Sequence, residues 1–163
     1  VIGIPLLALL AALQSSVVGH LRLLEGRPDL VLLGIVSWSL TGRSQEGMIL
    51  GFVGGVFLDL FSEVPLGVSS ATLVMVAALA SYSEGQFWGA NPLMQIAAVL
   101  TTSAIFHAVG VGTILLTGRA LDLPIALSRV VLPSLFLNLV LALPAIQLGE
   151  TLHSTLFPER VTA

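Results

Sequence analysis

Cysteine and lysine are both absent from the 163 residues. Without thiols there is neither a disulfide framework nor a thiolate metal site, and the redox compartment leaves no trace in the sequence. Charge is nearly as scarce: charged residues make up 9% of the chain, where an ordinary soluble domain carries about 25%. A water-exposed shell cannot be assembled from so few, which excludes a soluble enzyme. Six Arg and nine acidic residues leave a formal net charge of -3, the wrong sign for a surface that grips nucleic-acid phosphates. His20, His107 and His153 stand far apart in no zinc-ligand spacing, so neither a metal nor a cofactor is expected.

What the chain has instead is apolar length. Hydrophobic residues make up 56% of it and the mean hydropathy is +1.04. At about 20 residues per bilayer crossing, with loops allowed, this length accommodates about six helices, which predicts an all-α polytopic membrane bundle in a single domain over 1–163. Runs of Gly, Pro and charge divide it into spans at about 2–19, 29–41, 47–61, 69–83, 93–117 and 126–148, with a polar tail from Glu150. The opening VIGIPLLALLAALQSS has the look of a signal-peptide core. It lacks a basic start, and equally apolar segments recur, so it reads as the first span. Spans two and three are short for a bilayer about 30 Å thick and must lean on neighbours. Two crossings are preferred to a re-entrant pair, because Arg43, Gln45 and Glu46 between them are costly to hold in hydrocarbon. Continuous apolar runs do not fit a β-barrel, and no duplicated half is visible. Orientation stays open. Placing both ends in the cytoplasm puts Arg43 and Arg160 inside but Arg22, Arg27, Arg119 and Arg129 outside, against the positive-inside tendency.

The densest pattern lies in residues 47–67. Gly47, Gly51, Gly55 and Asp59 follow one another at i+4 and share one helix face, with Gly54 beside them. Small residues at that spacing let a neighbouring backbone approach closely. Asp59 then reads either as a proton, ion or ligand site or, more plainly, as an interfacial carboxylate that caps an adjoining helix or loop. The plainer reading is favoured because Ser62 and Glu63 follow at once and place it near a membrane surface. Pro65 and Gly67 shape the turn into span four. No nucleophile elbow surrounds Ser69, so an intramembrane protease is not expected. In residues 27–30, Pro28 suits a first helical turn and Asp29 the positive end of a helix dipole, while Trp38 and Trp88 suit interfacial belts. Inside the spans Gln14, His107 and Asn138 are polar, with Asn138 the expected partner of His107; they read as glue between helices, or as the lining of a polar cavity. Pro133 and Pro144 predict bends in span six.

With Gln14, RPDLVLL at 27–33, Trp38 and above all GFVGGVFLDLFSEVPLGV at 51–68 in view, the chain resembles the rod shape-determining protein MreD family over essentially its whole length. The resemblance implies a non-enzymatic inner-membrane subunit of the cell-elongation machinery, with both termini cytoplasmic and a fold similar to the S component of energy-coupling-factor transporters. It further implies association with the bitopic protein MreC and, through it, with MreB and the elongation peptidoglycan synthase pair. The Gly47, Gly51, Gly54, Gly55 and Asp59 face, with Pro65 and Gly67, is then expected to serve helix packing or partner binding. The alternative is a small-molecule or lipid-binding membrane protein of the S-component type, for which Gln14, Asp59, His107 and Asn138 are the lining candidates.

Overall fold

The computed structural model describes residue 14 and residues 25–41, 43–62, 65–82 and 91–156. The expected first span at 2–19, apart from Gln14, lies outside the described residues, as do Trp88 and the residues after 156. Within them the chain is all-helical, a bundle of α1 (Leu30–Ser39), α2 (Ser44–Phe61), α3 (Val68–Tyr82), α4 (Pro92–Leu116) and α5 (Leu123–Leu156). Helices α2, α4 and α5 are each long and apolar enough to cross a membrane.

Local chemistry sets most of the helix ends. Asn91 caps α4 by accepting from the Leu93 N–H at 3.0 Å, and Pro92 occupies the first turn, where its missing donor costs nothing. Asp122 does the same for α5 through the Ile125 N–H, with Pro124 in the first turn. Helix α2 starts at Ser44, three residues before the expected start, because Arg43 and Glu46 pair across its first turn. Glu46 also accepts from the Trp38 indole N–H at 3.2 Å, so that indole is tied to a neighbouring helix. The polar tail expected from Glu150 is itself helical as far as Leu156, beyond the expected end of span six at 148, with Thr151, Ser154 and Thr155 hydroxyls bonded back to carbonyls of the preceding turn. Near its start α5 widens into a π turn over Leu127–Val131. Pro133 has no N–H to offer the Arg129 carbonyl four residues earlier, and that oxygen accepts from the Glu25 N–H at 3.1 Å.

The ten-residue helix α1 is the centre of the molecule. Val31, Leu32, Ile35 and Val36 are 0–1% exposed, and α1 packs against α2, α3, α4 and α5. At about 1.5 Å per residue it is about 15 Å long, half a bilayer, and it can be short because four other helices pack around it. The outer helices show the opposite pattern. Phe52, Leu60, Leu132 and Phe136 are each more than half exposed, an arrangement that suits a hydrocarbon solvent and not water.

Candidate functional site

The glycine face of α2 lies inside the chain. Among the described residues, helices α2 and α3 make the most extensive helix pair. A Cβ at Gly51 would stand 2.9 Å from the Leu73 carbonyl oxygen, and one at Gly55 would stand 2.6 Å from the Ser70 nitrogen and collide with the Ser70 Cα. Gly47 is pressed against the Ser39 side chain of α1, and Gly54 is buried with them. The stripe is consumed by contacts within the chain, since only residues without a side chain let these backbones approach so closely.

Asp59 closes the same pair at its loop end. Its carboxylate accepts from the backbone N–H groups of Gly67 at 2.8 Å, Ser69 at 2.9 Å and Ser70 at 3.3 Å, and from the Ser70 hydroxyl at 2.9 Å. These donors are the otherwise orphaned first groups of α3. Gly67 reaches this position with φ of +98°, a conformation side chains resist, and Pro65 before it accepts from the Val68 N–H. Asp59 thus caps the following helix from the preceding one, and its hydrogen-bonding capacity is taken up there.

A second polar centre gathers at the start of α1. Residues 25–29 run extended along α5, and every second N–H is used: Glu25 donates to the Arg129 carbonyl, Arg27 to Ser134 Oγ at 2.9 Å, and Asp29 to Asn138 Oδ1 at 2.8 Å. Gly26 lets the strap lie flat, because a Cβ there would meet the Pro133 ring and the Ser134 nitrogen. Asp29 does not cap its own helix. Gln14 does so instead, its Oε1 accepting from the Val31 N–H at 3.1 Å. The Asp29 carboxylate turns toward α4 and α5, accepting from Asn138 Nδ2 at 3.1 Å and lying 3.1 Å from His107 Nε2. That nitrogen is near enough to interact but is not aligned for a hydrogen bond. Asn138, fully buried, spends its remaining N–H on Ser103 Oγ at 3.2 Å.

The expected pairing of His107 with Asn138 is therefore corrected: Asp29 stands between them. Gln14 and His107 do line a cavity of about 340 Å³, and Arg27 and Asp29 join them there. Asn138 is not on its wall; it sits behind Asp29 and holds it. Asp59 does not line this cavity; it lies beside a shallow groove on the outer face of α2 and α3. Sequence reading missed Asp29 and Arg27 as members of the centre. The one available signal was the pair of opposite charges at alternate positions immediately before a wholly apolar helix.

The family described as rod shape-determining protein MreD matches residues 1–152. No curated protein and no solved structure matches the chain.

Proposed function

We propose, since this chain belongs to the rod shape-determining protein MreD family, that it works as a membrane scaffold of the rod-shape system by presenting the α2–α3 pair to the single-span protein MreC. Proteins of this family are non-catalytic. The finer reading is a six-span fold similar to the S component of energy-coupling-factor transporters, with residues 2–19 as its first span and both termini in the cytoplasm. MreC then links the chain to MreB and to the elongation synthase pair.

One observation carries the partner reading. The glycine stripe locks α2 to α3, and the outer side of that pair is a shallow groove walled by Phe52, Val56, Leu66 and Val74 over the small residues Gly67, Ser70 and Ala71. Small residues below and large apolar ones at the rim suit a helix laid along the groove, since association in lipid depends on close van der Waals packing. Co-purification of MreC tests it. Gly51→Leu and Gly55→Leu are expected to lose MreC by parting the two helices. Ala71→Trp, at an exposed position in the groove, is expected to lose it with thermal unfolding unchanged. Full recovery of MreC with Ala71→Trp moves the partner to another face.

A further inference from the structure

The 340 Å³ cavity is bounded by the start of α1, the end of α2, the start of α3, the second half of α4 and the π turn of α5. Its volume falls within the range of about 300–1,000 Å³ common to small-molecule sites. Leu58, Phe61, Phe106 and Ile114 give it apolar walls, and among the described residues its charged groups are Arg27 and Asp29. In the extended strap these two alternate residues point the same way, about 6–7 Å apart along the chain. Among the described residues Arg27 makes no ion pair, and the Asp29 carboxylate has only Asn138 and His107 beside it. A carboxylate kept this far from water is stabilised by a cation. A purely anionic ligand would meet Asp29 as a like charge, and a purely cationic one would meet Arg27. A ligand bearing both charges satisfies both.

We infer that this cavity binds a zwitterionic head group, an ammonium set against Asp29 and a phosphate or carboxylate set against Arg27, on a molecule whose apolar part lies against the walls. The π turn brings Val130 and Val131 to the cavity, and α4 offers Gly110. Gly110 lines the cavity and a Cβ there would meet nothing within 4 Å, so a larger residue can be set at that stretch of wall without its Cβ displacing a neighbour. The site is separate from the α2–α3 groove and does not depend on the partner reading.

Native mass spectrometry of the delipidated full chain tests this with three probes: dihexanoyl phosphatidylethanolamine, the phosphatidylglycerol of the same chain length, and free phosphoethanolamine. The phosphatidylethanolamine is expected to bind once per chain, and the phosphatidylglycerol at least tenfold more weakly. Gly110→Leu and Arg27→Gln should each weaken the phosphatidylethanolamine at least tenfold, with thermal unfolding of Gly110→Leu unchanged or raised. Free phosphoethanolamine binding as well as the lipid supports the head-group assignment and makes the source soluble; binding of the lipid alone makes it the membrane. Equal binding of the two lipids, unchanged binding by Gly110→Leu, or no binding of either zwitterion overturns the inference.

Discussion

At the scale of single residues, two acidic groups set beside apolar helices do different work. Asp59 satisfies four donors at the start of α3, so Asp59→Ala leaves three N–H groups and a hydroxyl without their acceptor. A loss of about 1–3 kcal/mol is expected, read as a lowered midpoint of thermal unfolding in detergent. Asp59→Asn keeps one acceptor oxygen and should fall between that variant and the parent. The glycines divide in the same way. Gly55→Ala drives a methyl into the Ser70 backbone and should cost at the upper end of the about 1–3 kcal/mol typical of overpacking. Gly112→Ala places its methyl in open space on α4 and should be neutral or stabilising by up to about 1 kcal/mol. Equal midpoints for the two variants would mean that the α2–α3 contact is looser than its geometry. The i+4 glycine spacing was legible in the sequence because helical periodicity is a local property. Which backbone each glycine meets was not, because Ser39, Ser70 and Leu73 belong to other helices.

At the scale of elements, the strap of residues 25–29 explains how a helix only ten residues long can sit at the centre of the bundle. Three N–H groups fasten it to α5, and Asn138 both receives one of them and donates to the Asp29 carboxylate. Asn138→Asp sets a second carboxylate against Asp29 in a buried place and removes the donor that stabilised it. It is expected to destabilise the chain more than Asn138→Leu, which removes the hydrogen bonds without adding charge. Thermal unfolding of the two variants side by side checks the order. Sequence reading saw Asp29 only as a residue suited to a helix dipole, because its partner Asn138 lies 109 positions away. It saw Pro133 as a bend in α5. The structure adds that the turn before Pro133 opens into a π turn and yields a carbonyl to the strap.

At the scale of the whole molecule, the strap before α1, the end of α2, the start of α3, the second half of α4 and the π turn of α5 meet around one cavity, while Gln95 near the start of α4 bonds Glu150 late in α5 and Trp38 near the end of α1 meets the His153 ring, so the helices alternate in direction. The absence of cysteine makes this directly testable. Single cysteines in place of Ser62, Leu66 or Arg119 are expected to react with a membrane-impermeant maleimide from one side of the membrane, and those in place of Gln45 or Asn91 from the other. Labelling of Leu66 and Gln45 from the same side would sink the alternating topology. The sequence by itself determined the solvent and the class of structure: with 9% charge and 56% hydrophobic residues, the chain must hide its backbone polar groups in helices. Among the described residues it also marked the helix boundaries to within three residues, because caps, prolines and apolar runs act locally; the exception is the end of α5, which runs eight residues past the expected 148. Only the tertiary structure decided that the glycine stripe is spent inside the chain, that α1 sits among four other helices, that His107 and Asn138 converge on Asp29, and that Gln14 caps α1 and lines the same cavity. Each of those outcomes depends on which helix faces meet. Pairing between distant segments is a property of the packed bundle, and an apolar face in a membrane carries no mark of its partner until the neighbours are in place.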